Sequence, residues 1–212
     1  MKIIKQESIN TVIHAWLKGE WVSLGYSQKY PELKAKLIDH PNFNSSAQNK
    51  KRRELLRETR QRNIDELPAD IKWFSAKFED TDYPLTYLIA CDDWLPISNN
   101  SYKLESTTTN FDLPLPHTSY IQEIYKTLPN PSIDPKLIMV GSSLGAPVTI
   151  IEGNHRAVAF VKYSSKNPDS PKLLNEIYLG LSVDMKDYVW HIESRDIANP
   201  ARLRQVLKKV NV

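Results

Sequence analysis

Cysteine is almost absent from this 212-residue chain, with Cys91 the single example. An internal disulfide is therefore excluded, and so is a zinc site built on cysteines of one chain. Histidine does not make up the deficit. His14, His40, His117 and His191 have no second histidine or cysteine at metal-ligand spacing, so neither zinc nor haem is expected. Long apolar runs are missing as well. No stretch approaches the ~18 apolar residues that a membrane span needs, so no membrane partner is expected. The leading "MKIIKQESINTVIHAWL" has no continuous apolar run before a small-residue cleavage site, as a secretory signal would. The expected location is cytoplasmic. Neither a Walker A loop nor a G-x-S-x-G elbow occurs.

Glycine is scarce too, and unevenly spread. Of six glycines, Gly141, Gly145, Gly153 and Gly180 fall within residues 141–180. Glycine serves where the backbone needs positive φ or close approach, so special geometry is expected in the C-terminal half. Charge is equally uneven. The formal net charge is +3, yet the segment 45–64, "SSAQNKKRRELLRETRQRNI", carries Lys50, Lys51, Arg52, Arg53, Arg57, Arg60 and Arg62 against Glu54 and Glu58. Outside it, acidic residues outnumber basic ones. One basic element thus sits on a near-neutral body.

Hydrophobic spacing supplies the elements. Ile9, Val12, Ile13, Trp16 and Leu17 recur at helical spacing across 8–24. A short helix is expected from Pro31, and a long basic helix from about Ser46 to Asn63 with Leu55, Leu56 and Ile64 as a sparse apolar face. "WFSAKF" alternates as a strand. "TDYPLTYLIACDDWLPI" predicts a short helix bearing Leu85, Leu88 and Ile89, and "NNSYKLESTTTNF" a turn and edge strand. Asp92-Asp93, beside Trp94, is a carboxylate pair suited to magnesium or to a solvated turn. Residues 112–135 hold five of the fourteen prolines around the helix "TSYIQEIYKTL", marking a linker or lid. Thereafter "PKLIMVGS" and "PVTIIEG" predict strands, "NHRAVAFVKYS" a helix, "LLNEIYLGLS" a strand and "PARLRQVLKKVNV" a basic C-terminal helix.

The turn "EGNHR", Glu152 to Arg156, carries the sharpest chemical signal. A strand–glycine–helix junction offers unpaired backbone N–H groups and the positive end of a helix dipole to an anion. Gly153 frees the backbone, Asn154 caps the helix or turns its amide to a ligand, and Arg156 offers a planar fork to phosphate oxygens. His155 can donate a hydrogen bond or move a proton near neutral pH. Glu152 can act as general base or hold a divalent metal. The same residues admit a structural reading, with Glu152 paired to Arg156, Asn154 capping and His155 half-buried.

The stretch "LIMVGSSLGAPVTIIEGNHRAVAFVKY" followed by "NEIYLGLS" resembles the core of the ParB/sulfiredoxin-like superfamily. The resemblance spans about residues 68–192 and is strongest at 137–163. In that superfamily a G-x-x-R or D-G-H-H-R turn opens a helix and holds nucleotide phosphates. Gly153 and Arg156 fall on its glycine and phosphate-binding arginine, and Asn154 and His155 on the two variable places. Sulfiredoxins place a reactive cysteine where this chain has Asn154, so sulfinic-acid reduction is not expected. The stretch after the motif is too short for the helix-turn-helix domain of partitioning ParB proteins, so partition is not expected either. Free-serine kinases of the superfamily are nearest in kind, and Glu152 stands where the aspartate of D-G-H-H-R would stand.

The expectation is an α+β protein: a helical N-terminal region over 1–66, then a ParB/sulfiredoxin-like mixed-sheet domain with flanking helices over 67–212. It would bind a nucleotide or other phosphorylated ligand through Gly153, Asn154 and Arg156. Glu152 and His155 would be the catalytic pair of a magnesium-dependent hydrolase or phosphotransferase, with Glu152 holding the metal. The competing expectation is a nucleic-acid-binding or protein-interaction module. In it Lys50, Lys51, Arg52, Arg53, Arg57 and Arg60 contact DNA or RNA by neutralising phosphates, and "EGNHR" is structural. The substrate and oligomeric state have no signature in the sequence.

Overall fold

The computed structural model describes residues 1–23, 25–107, 117–129, 136–169 and 175–192. At its centre lies a mixed sheet of six strands: β1 (Lys2–Glu7), β2 (Lys72–Lys77), β3 (Thr86–Leu88), β4 (Leu137–Gly141), β5 (Val148–Glu152) and β6 (Glu176–Leu181). Their spatial order is β1-β2-β6-β4-β5-β3. The β6–β4 and β5–β3 pairs are parallel, and the other three are antiparallel.

Central strands covered on both sides read as unbroken apolar runs, because alternate side chains enter opposite layers. Leu137, Met139, Ile177 and Leu179 pack into one cluster with Ala157 to Phe160, whereas Ile138, Val140 and Tyr178 pack into another. Helices α4 (Thr118–Thr127) and α5 (Asn154–Lys166) cover the first face. Helices α1 (Ile9–Ser23) and α3 (Ser46–Asp65) cover the second, joined through the short α2 (Tyr26–Lys29). Val12, Ile13, Trp16 and Leu17 are all buried there, as the helical spacing predicts. Leu55 and Leu56 anchor α3, whose first turn is capped by the Ser45 hydroxyl accepting from the Gln48 N–H. No helix among the described residues is long and apolar enough to cross a membrane.

The fold departs from expectation in identifiable places. Residues 2–7 form an edge strand that pairs with β2, and their mostly exposed side chains carry no period-2 signal. The N-terminal stretch expected to be only helical therefore also contributes to the sheet, and its two long helices share a core with Trp73, Ile138 and Tyr178. Residues expected as a helix around 81–97 form a 3-10 turn over Asp80–Leu85, then β3, then a second 3-10 turn over Asp92–Trp94. Pro84 lacks a donor N–H, and the Thr86–Leu88 backbone instead pairs with Val148–Ile150. Residues Leu104–Ser106 form a 3-10 turn, with an isolated bridge between Tyr87 and Lys103, rather than a full edge strand. The expected C-terminal helix, and residues 112–116 and 130–135 of the proline-rich stretch, lie outside the described residues.

Candidate functional site

Strand β5 ends at Glu152, and the chain turns at Gly153 into α5. Gly153 has φ of +95°, and a Cβ there would lie 2.5 Å from Leu137 Cδ2 and 2.9 Å from Arg156 Nη2. Both the positive φ and the crowding exclude a larger residue. Asn154 opens the helix, but its amide faces inward. Its Oδ1 accepts from the Ile89 N–H at 3.0 Å and its Nδ2 donates to the Ile150 carbonyl at 3.1 Å. Asn154 thereby ties the end of β3 to the junction of β5 and α5.

Arg156 is buried one turn into the helix. Its Nη2 donates to Glu152 Oε1 at 2.9 Å, and its Nη1 donates to the Lys136 carbonyl at 3.2 Å. Glu152 also hydrogen-bonds Glu20 of α1, which in turn accepts from Arg60 Nε at 2.6 Å. The chain Arg60–Glu20–Glu152–Arg156 thus links α3, α1, β5 and α5. The approach of α1 depends on Gly19, where a Cβ would come 2.9 Å from Glu152 Oε1. Burial, and then the neighbouring Glu20 charge, push the Glu152 carboxyl up to about 8, against the pull of Arg156 and Arg60. A hydrogen bond between two carboxyl groups needs a proton, and the raised affinity of Glu152 holds one between it and Glu20.

His155 points into a different environment, a cluster of rings. Its ring centroid lies 4.8 Å from that of His117, 5.0 Å from Trp94 and 5.6 Å from Tyr120. His117, which precedes α4 at φ +66°, stacks on Trp94 at 4.6 Å and 15°. Its Nε2 lies 3.7 Å from Asp93 Oδ2. His155 Nε2 is buried and has no hydrogen-bond partner among the described residues. Burial, followed by the His117 charge, pushes the His155 imidazole down to about 4. Burial also lowers His117, opposed by Asp93. Near neutral pH His155 is therefore an uncharged imidazole.

The five residues of the turn thus divide between two tasks. Glu152, Asn154 and Arg156 are bonded into the frame, and His155 faces the ring cluster. Among the described residues no group of three or more histidine, cysteine, aspartate or glutamate side chains is gathered as a metal would require. Sequence reading missed Glu20, Trp94, His117 and Tyr120. Glu20 did leave a trace: it lies four residues after Trp16 and three after Leu17, on the apolar stripe of α1.

The six cationic residues proposed for nucleic acid are dispersed. Arg52 is fully buried and donates to the Leu37 carbonyl, Asn49 and Gln48. Arg53 donates to Asn10, Arg57 pairs with Asp65 at 2.7 Å, and Arg60 pairs with Glu20. Lys50 and Lys51 are the exposed pair at the start, each 3.9 Å from Glu54. Several of these partners come from outside the 45–64 segment, which is why the local charge count left them unbalanced. No protein-family model, curated protein or solved structure matches this chain.

Proposed function

We propose that this protein binds a small phosphorylated ligand, a nucleotide first among them, at the start of α5. The observation that carries the reading is His155 Nε2, a buried imidazole nitrogen on the first turn of a 13-residue helix, without a hydrogen-bond partner among the described residues. A neutral imidazole with its Nε2 protonated donates to a phosphate oxygen without repelling a nearby cation. The helix dipole adds positive potential at the same end. The Trp94, His117 and Tyr120 rings offer faces on which a planar base stacks. The resemblance of "EGNHR" to the phosphate turn of the ParB/sulfiredoxin-like superfamily points the same way. In this reading Arg156 positions the turn through Glu152 and the Lys136 carbonyl. Glu152, protonated and bonded on both sides, is a poor base or metal ligand at neutral pH, so the proposal is binding rather than phosphoryl transfer.

The test is a thermal shift with ATP, CTP, GTP and ADP, each with and without magnesium. At a ligand concentration 100 times Kd, stabilisation should be about 2.7 kcal/mol, or roughly 5–10 °C at about 2–4 °C per kcal/mol. His155→Phe keeps a ring in the cluster but removes the nitrogen, and should abolish the shift while remaining folded. No shift with any nucleotide overturns the reading. The rival, nucleic-acid contact along α3, draws support from the exposed Lys50 and Lys51. A binding constant that barely changes with salt would sink it.

A further inference from the structure

Two ion pairs meet end to end where α1 crosses the end of β5. One lies within the layer of α1 and α3: Arg60 donates to Glu20 Oε1 at 2.6 Å. The other lies at the junction of the sheet with α5: Arg156 donates to Glu152 Oε1 at 2.9 Å. The Glu20 side chain is 5% exposed and that of Glu152 14% exposed, so water screens the two carboxyls poorly. Between the pairs, the carboxyl groups of Glu20 and Glu152 are hydrogen-bonded to each other. Two carboxylates offer only acceptors, so this bond lasts only while one proton lies between them. Each carboxyl thus has an arginine on its own side of the boundary between layers, and the proton bonds the two sides.

The charged groups that face Glu152 are Glu20 from α1, Arg60 from α3 and Arg156 from α5. His155, also on α5, is an uncharged imidazole near neutral pH. Lys136, just before β4, gives its carbonyl to Arg156 and its ammonium to Glu176. When the proton leaves, each arginine still answers its own carboxylate. What changes is the repulsion between Glu20 and Glu152 at hydrogen-bonding distance. The contact has no slack in front: a Cβ at Gly19 would come 2.9 Å from Glu152 Oε1 and 3.3 Å from Arg156 Nη2. Slack lies behind it. Helix α3 leaves helical geometry at Arg60, with φ −126° and ψ 25°, just beyond the Leu55 carbonyl that accepts from the Tyr26 hydroxyl at 2.7 Å. Arg60 can therefore follow Glu20 without breaking a regular helix.

We propose that the Glu20–Glu152 carboxyl pair is a proton-operated latch between the α1–α3 layer and the sheet. With the shared proton α1 closes on the end of β5, and without it the last turns of α1 part from Glu152, taking Arg60 with them. The buried Val12, Ile13 and Trp16 side chains hold the earlier turns of α1 in either state, so the release is local. Glu152 keeps its proton up to about pH 8 in the closed form, against 4.5 for a free carboxyl. Closure is therefore most favoured below pH 4.5, weakens about tenfold per pH unit above it, and is weakest beyond 8. The latch does not depend on whether the start of α5 binds a phosphate.

Amide hydrogen exchange of the unaltered protein from about pH 6 to 9, corrected for the intrinsic rise of exchange with pH, tests the latch. Amides of residues 17–21 should be less protected than those of β4, because this end of α1 opens without global unfolding. Their protection should fall about tenfold per pH unit up to about 8 and then level off. Glu152→Gln and Glu20→Gln each put an amide where the proton lay. The amide oxygen accepts from the arginine, and the amide N–H donates to the remaining carboxylate. Both variants should hold residues 17–21 closed, with protection independent of pH over this range. Protection of 17–21 equal to that of β4 means that the layers part only when the whole molecule unfolds, and overturns the proposal. Protection that ignores pH in the unaltered protein overturns it too, as does a slope that persists in either folded variant. If neither variant folds, the comparison with β4 and the slope in the unaltered protein decide alone.

Discussion

Glu152 and His155 lie three residues apart, yet their proton affinities are displaced in opposite senses. The Glu152 carboxyl is raised from 4.5 to about 8, so the native state binds more protons than the unfolded chain between those values. Its contribution to stability is complete below pH 4.5 and is lost as pH rises through 8. The His155 imidazole is lowered from 6.5 to about 4, so its contribution is complete above 6.5 and is lost as pH falls through 4. The two oppose each other between 4.5 and 6.5, and above 6.5 Glu152 acts alone. Urea midpoints should therefore fall from pH 6.5 to 8, and Glu152→Gln should flatten that limb. His155→Phe should instead make the midpoint rise as pH falls from 6.5 to 4.5, where Glu152 is then unopposed, and leave the alkaline limb unchanged. A Glu152→Gln profile as steep as the original would contradict the shared proton. The Glu152–Arg156 pair was legible in sequence from its i,i+4 spacing. Glu20 was not, because its meeting with Glu152 depends on how closely α1 crosses the end of β5 at Gly19.

At the scale of elements, α3 shows how little a count of charges says about a surface. Arg52 and Arg57 belong to the same basic run, but one is buried on the Leu37 carbonyl and the other is half exposed on Asp65. Arg52→Gln should cost about 2–4 kcal/mol, because a buried carbonyl and two side-chain amides lose their donor. Arg57→Gln should cost about 0–1 kcal/mol, the usual worth of an exposed pair. Equal losses in chemical denaturation would refute this division. The junction of β5, Gly153 and α5 was readable because hydrophobic period and glycine change together there. β3 was misread as helix because Leu85, Leu88 and Ile89 fit helical spacing equally well. What decided was the parallel β5 strand beside Thr86–Leu88, a partner more than sixty residues away in sequence.

Across the whole molecule, the sheet joins the two ends of the described chain. β1 pairs with β2 and β2 with β6, while α1 and α3 pack on the same strands. Residues 1–66 thus bury their apolar face against later strands. Leu55→Ala, at a site with no exposed surface, should cost about 2–5 kcal/mol. Tryptophan fluorescence and far-ultraviolet circular dichroism should still report one coincident transition for that variant. Separate transitions for the two signals would show that the N-terminal helices unfold on their own. By itself the sequence determined the mixture of helix and strand, the buried central strands, and the glycine turn that starts α5, because each follows from spacing along a short segment. Only the tertiary structure decided which charges are consumed, which histidines meet and where donors are left without acceptors. Those outcomes depend on groups far apart in the chain that burial brings together, and no local pattern encodes such a meeting.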